Sequence, residues 1–302
     1  MRPAHLALML SAALLVTSAR AQSKPAQTES LTGVIDIHVH AAPDSTARSI
    51  DAIDLAKLAQ SRGMRALVLK NHYAPTATDA YYVHKVVPGI QVFGGIDLNL
   101  SVGGMNPIAV EKMALTTGHL GRFVWMSTDD SYAAVMKAKE QRPYVAVSRN
   151  GELLPETRAV IAMIKKYDLV MATGHNSAED ALLLIQESRK QGITRMVVTH
   201  AMLSPISMTI PQMQQAAALG AYIEFVYNGI VSKQFDFADY AKAIRAVGPE
   251  HCILSSDMGQ PANPLHPDGL VLLFDGLKKQ GLSQSDIDQM SKVNPAHLLS
   301  LQ

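Results

Sequence analysis

The chain has 302 residues, 48% hydrophobic and 18% charged, with a formal charge of +1 and one cysteine. This is a globular composition rather than a disordered one, and its near-neutral balance offers no basic surplus for binding nucleic acid. A lone Cys252 excludes an internal disulfide, and with it the small disulfide scaffolds.

Residues 1–21 carry Arg2, an apolar run from Leu6 to Val16, and Ala19-Arg20-Ala21. They read as a secretory signal peptide with an A-x-A cleavage site. The apolar run is too short for a bilayer span of roughly 20 residues. Cleavage starts the mature chain at Gln22, with no cysteine directly at the cleavage site to take a lipid anchor, and places the protein in the periplasm or medium. It also removes Arg2 and Arg20, shifting the formal charge to about −1. Residues 22–32 read as a flexible polar lead. Residues 33–302 read as one domain with a core large enough to need no staple.

From residue 33 onward, short β-rich runs alternate with helix-like segments. The predicted strands are 34–40, 66–70, 90–96, 122–127, 169–173, 196–199, 221–226 and 253–256. The predicted helices are 50–62, 107–117, 154–166, 178–191, 208–219 and 237–246, followed by 269–280 and 283–301. The strands are mostly apolar on both faces, as buried parallel strands are. The alternation predicts an α/β fold, a (β/α)8 TIM-like barrel. Gly63, Gly89, Gly121, Gly192, Gly220 and Gly248 punctuate the helix-to-strand joints as left-handed helix ends. Residues 129–149 read as a small insertion after the fourth strand, a hairpin or lid ending at Asn150-Gly151. A doubly wound sheet is the rival fold. It would offer a glycine-rich phosphate loop, and neither GxGxxG nor GxxxxGKS/T occurs.

Polar residues gather at the carboxyl ends of these strands, where barrel enzymes build their sites. The first strand ends in Asp36-Ile37-His38-Val39-His40. Residues two apart share a face, so His38 and His40 both point into the barrel mouth. The second strand ends in Lys70-Asn71-His72, the fifth in Thr173-Gly174-His175, the sixth in Thr199-His200 and the eighth in Ser255-Ser256-Asp257. Four imidazoles and a carboxylate at one rim point to a divalent metal, one ion or two: zinc foremost, or manganese, iron or nickel.

This pattern resembles the amidohydrolase superfamily of metal-dependent barrel hydrolases, over essentially the whole mature chain. HxH on strand one, His on strands five and six, and Asp on strand eight are met by His38, His40, His175, His200 and Asp257. HVHAAPD (38–44), VLKNHY (68–73), ATGHNS (172–177), VVTHAM (197–202) and LSSDMGQP (254–261) resemble a branch of it known only as "amidohydrolase family". The resemblance implies that the four histidines and Asp257 hold metal, and that Asp257 also relays the proton of the attacking water. It implies hydrolysis of an amide, ester, lactone or phosphoester in a small molecule, and it permits a homo-oligomer. The chain departs from the pattern at strand four, which reads Arg122-Phe123-Val124-Trp125-Met126-Ser127 and lacks the Lys or Glu that bridges two metals in many members. Asp129 and Asp130 fall in the loop beyond. Lys70 is the substitute, either carboxylated as a bridge or left as an ammonium that binds an anion. The missing bridge also keeps a decarboxylase or isomerase in view, and a secreted metal-binding protein without turnover is a further alternative. A serine hydrolase is disfavoured, since no GxSxG occurs.

Around this centre, Asp36 reads as an orienting or barrel-filling acid. His72, Glu224, Asn99, Arg48 and His266 are candidate substrate contacts, with Asp97, Arg149 and Tyr73 beside them. His84, His119 and His251 read as surface or loop residues, and His297 as a brace for the last helix.

Overall fold

The computed structural model describes residues 31–301. The predicted signal peptide and most of the predicted lead lie outside the described residues. Leu31, assigned to the lead by sequence, is buried and its N–H bonds the Arg62 carbonyl, so it belongs to the folded domain.

The elements run β1 (Ile35–Val39), α1 (Ala52–Ser61), β2 (Ala66–Leu69), α2 (Ala77–Val86), β3 (Gln91–Asp97), α3 (Pro107–Ala114) and β4 (Gly121–Trp125). Then come α4 (Tyr132–Ala138), β5 (Ser148–Arg149), β6 (Glu152–Leu153), α5 (Pro155–Lys166), β7 (Val170–Ala172), α6 (Ala178–Lys190) and β8 (Met196–Val198). The chain continues with α7 (Ile210–Ala218), β9 (Tyr222–Val226), α8 (Tyr227–Val231), α9 (Phe237–Val247), β10 (Cys252–Ser255) and α10 (His266–Lys279), and closes with α11 (Gln284–Asp288) and α12 (Asn294–Leu299). β1–β4 and β7–β10 form one parallel eight-stranded sheet in chain order, the predicted TIM-like barrel.

Val68, Phe93, Phe123, Trp125, Ala172, Val197 and Ile253 form one buried cluster. Their alternate neighbours Leu67, Leu69, Val92, Val124, Met171, Val198 and Leu254 belong to another. Period-two alternation places the first set inside the barrel and the second between sheet and helices. The interior register continues upward into Lys70, Asp97 and Glu224, which is how polar side chains reach the mouth.

The seam between β1 and β10 is closed mostly beyond the end of β10. Asp257 N donates to the His38 carbonyl at 3.0 Å, and His40 N to the Met258 carbonyl at 3.1 Å. Deeper in the seam, Asp36 Oδ1 accepts from Ser256 N at 3.1 Å and from His38 N at 3.2 Å. Asp36 thus ties β1 to the residue after β10, and burial raises its carboxyl to about 6.

The insertion is a short helix, α4, and a hairpin. β5 and β6 pair antiparallel across Asn150 and Gly151, both with positive φ, as a type I′ turn requires. α2 occupies the one interval where the sequence pattern predicts no helix. Its Thr76 cap spends its hydroxyl on the Leu69 carbonyl instead of on the helix, and its aromatic and β-branched core is a weak helix former. The predicted helix 283–301 is interrupted by a π turn at Gln289–Val293, just before Pro295, which has no N–H to continue the ladder. Gly63, Gly192, Gly220 and Gly248 have positive φ as expected; Gly89 and Gly121 do not. Gly121 is instead closely packed, since a Cβ there would lie 2.8 Å from the Met113 carbonyl oxygen.

Candidate active site

His38, His40 and Asp257 converge at the C-terminal mouth, each buried. Asp257 Oδ1 lies 3.2 Å from His38 Nε2 and 3.3 Å from His40 Nε2, and one ligand atom from each residue falls within 4.8 Å of the others. His38 Nε2 is buried without a hydrogen-bond partner. Its other nitrogen, Nδ1, is committed to Glu224 Oε2 at 3.2 Å. Two imidazoles and a carboxylate aimed at one point, one ring fixed from behind by a carboxylate, fit a divalent ion.

His175 and His200 stand beside this triad, with their Nε2 atoms 3.1 Å apart. Gly174, just before His175, packs against the chain leaving β4: its φ is +67°, and a Cβ there would lie 2.2 Å from the Met126 carbonyl oxygen. His72, from the VLKNHY segment, completes a ring of imidazoles. Taken in the order His38, His40, His72, His175, His200 and back, neighbouring ring centroids are 4.8–5.7 Å apart. Two members of the site, His200 (φ 24°) and Asp257 (φ 51°), hold left-handed backbone that costs a non-glycine residue energy, a recurrent feature of functional sites.

Four of the five rings have the neutral state that metal binding needs. Burial depresses His40 to about 3 and His200 to about 4, and takes His72 and His175 well below the usual imidazole range. These rings are neutral at pH 7, as ligands must be. For His38 burial acts the same way, but the Asp257 and Glu224 carboxylates outweigh it and hold the ring above its usual value. Burial would raise Asp257, yet the surrounding histidines, His38 first, hold it well below the carboxylate range.

A cavity of about 320 Å³ opens over the ring. His40, Lys70, His72, His175, His200 and Asp257 line it, with Thr46, Arg48, Tyr73, Asp129, Ser204, Asn228 and Gln260. Of the predicted substrate contacts, His72 and Arg48 border this space; Asp44 grips the Arg48 guanidinium at 2.7 Å. Three others are corrected. Glu224 is buried behind the site, holding His38 and accepting from His200 N at 2.9 Å. Asn99 is buried too, its amide donating to the His72 carbonyl and Thr128 Oγ1. His266 begins α10 fully buried, with Nε2 on the His40 carbonyl at 2.9 Å, so it braces a site residue. Glu224 and Asn99 spend their polar atoms on partners inside the protein. Arg149 lies exposed in the hairpin and is not among the cavity-lining residues.

Asp129 was missed as a site residue. Its Oδ1 lies 3.7 Å from His72 Nδ1 and 3.6 Å from His175 Nδ1, and its Oδ2 accepts from the Tyr73 hydroxyl at 3.2 Å. The available signal was an acid just past a barrel strand. Asn228 Nδ2 donates to Asp257 Oδ2 at 3.1 Å and carried no signal at all.

A parallel eight-stranded barrel with a histidine ring and an aspartate at its C-terminal mouth defines a barrel protein equipped to hold metal. The chain belongs to the Family of unknown function (DUF6282), which it matches over residues 33–224. Asp257 lies beyond that span. No curated protein sequence matches the chain significantly. Among solved structures it is similar to an amidohydrolase from Pseudomonas aeruginosa, at 13% identity and TM-score 0.63, covering 89% of this chain and 95% of that one. It is also similar to a phosphotriesterase homology protein from Escherichia coli, at 18% identity and TM-score 0.60, covering 88% and 98%. A third is the organophosphorus hydrolase from Deinococcus radiodurans, at 15% identity and TM-score 0.60, covering 89% and 93%. These likenesses show the fold, the one implied by the motif resemblance.

Proposed function

We propose that the protein is a metal-dependent hydrolase of a small molecule, cleaving an amide, ester, lactone or phosphoester bond. The observation that carries this reading is the convergence of His38, His40 and Asp257 under an open cavity, with His175 and His200 adjoining. The hydrolases and hydrolase homologues that share the fold support it.

A bound divalent ion supplies Lewis acidity and acidifies water at that point, and zinc suits this donor set best. The chain's own residues do the rest. His38, His40 and Asp257 would hold the ion, and Glu224 fixes the His38 ring. Asp257 borders the cavity as a carboxylate and accepts the proton of the attacking water, while Asn228 steadies its Oδ2. His72 keeps Nδ1 on Thr128 Oγ1 at 2.8 Å and Asp97 Oδ2 at 3.1 Å, which orients its ring at the cavity wall. Arg48, Tyr73 and Gln260 contact the substrate from the same cavity. The signal-peptide pattern supports action outside the cytoplasm, so the N-terminus of the exported chain is expected at Gln22.

The test is metal analysis of the purified protein together with a panel of lactones, esters, amides and phosphoesters. We expect bound metal, turnover of at least one class, and loss of turnover on chelation. Release of CO₂, or a product of unchanged mass, would replace hydrolysis by decarboxylation or isomerisation. Bound metal without any turnover would leave a metal-binding protein.

A further inference from the structure

Lys70 is the one lysine among the residues lining the cavity, and its side chain is wholly buried. Its Nζ stands 5.6 Å from the centroid of the Trp125 ring, a seat that favours a cation. Its carboxylate neighbour is Asp97, with Oδ2 at 3.3 Å. That oxygen is not reserved for Lys70. His72 Nδ1 lies 3.1 Å from it, and Thr128 Oγ1 donates to it at 3.1 Å. Lys70 Nζ is left buried with no hydrogen bond of its own. An ammonium carries three N–H donors, and leaving them unmet in a buried site is costly.

Carboxylation of Lys70 resolves this only at a cost: it would remove the cation that faces Trp125 and set a second negative group against Asp97, which bound cations would have to offset. An acceptor brought in through the cavity resolves it and keeps the cation. Arg48 adds a second cation to the lining, held in place by Asp44. Of the two carboxylates in the lining, Asp257 belongs to the metal triad and Asp129 faces His72, His175 and Tyr73.

We infer that Lys70 is an ammonium anchored by Asp97, and that its free N–H groups bind an oxyanion, a carboxylate or phosphate, carried by the substrate. Lys70 therefore does not bridge two metals. The inference rests on the hydrolase reading for the word substrate, but not for the anion site itself.

The experiment is calorimetric titration of the zinc-loaded and zinc-free protein with inorganic phosphate and with succinate. Wild type is compared with Lys70→Met and with the double variant Lys70→Met/Asp97→Asn, which removes the carboxylate that the single change leaves unpaired. Bound zinc is measured for each. We expect at least tenfold weaker binding of the preferred anion in both variants, with zinc content unchanged. Stronger binding of phosphate assigns a phosphoryl group and stronger binding of succinate a carboxylate; either result supports the site. Equal anion affinity in wild type and both variants overturns it. So does zinc content that rises with bicarbonate in wild type and falls by one equivalent in Lys70→Met, the behaviour of a carboxylated bridge. A wild type with no zinc affinity sinks the hydrolase reading alone, since the Lys70 dependence of anion binding is still read in the zinc-free protein.

Discussion

The two halves of the histidine ring are built differently. His38, His40 and Asp257 sit on the closing seam of the barrel. There the backbone of Asp257 donates to His38, and buried Asp36 ties β1 to the residues after β10. Two carboxylates, Asp257 and Glu224, lie directly on His38. His175 and His200, after β7 and β8, face each other instead. The nearest carboxylate to the His175 ring is Asp129 at 3.6 Å, and Glu224 meets His200 only through the backbone N–H. The difference teaches that one half holds charge and position while the other supplies neutral donors. On the proposed metal-dependent reading, a first ion would sit on the seam between His38, His40 and Asp257, with His175 and His200 beside it.

The sharpest way to break this comparison is Asp257→Asn. It should cost about 10²–10⁴-fold in kcat while retaining much of the metal, read by steady-state kinetics and elemental analysis. Full activity would end the role of Asp257 in proton transfer. Next comes Glu224→Gln, which loosens the His38 ring from behind and should weaken metal affinity by about 10–100-fold. The same titration on His175→Ala should leave the tight ion in place; if that variant loses all its metal, the ranking of the two halves is reversed.

A smaller effect concerns pH and the brace beneath the seam. Burial lowers His266 to about 4. The unfolded ring takes a proton near 6.5, so its contribution to stability is present above that value and is lost as pH falls toward 4. Melting curves of the metal-free protein across this window should fall more steeply for wild type than for His266→Gln; parallel curves would remove His266 from the account. The smallest expected change is Tyr73→Phe. It deletes a hydrogen bond to Asp129 worth about 1 kcal/mol, and should lower kcat/KM by no more than about tenfold.

Much of the barrel was legible because its signals are local. Apolar runs bounded by glycine marked each barrel strand, and HxH on a period-two element forced two imidazoles onto one face. The set His38, His40, His175, His200 and Asp257 could be assembled because all five lie at or just past strand ends. α2 was illegible for an equally local reason: YYV reads against a helix, and packing overrode it. Glu224, Asn99 and His266 were recognised as polar residues near the rim, but their direction was not encoded in their neighbours.

The sequence by itself determined the fold class, the strand order and the donor types at the rim, since periodicity and strand-end chemistry are properties of short segments. Tertiary structure alone decided which donors meet. Glu224 lies 186 positions from His38, and the partnership at their 3.2 Å contact exists only once the barrel closes. The same closure gathers Lys70, Asp97, His72 and Thr128 from three strand ends around a single carboxylate oxygen. The physical reason is that a rim side chain's partners come from other strands, so contact follows the curvature of the sheet and not distance along the chain.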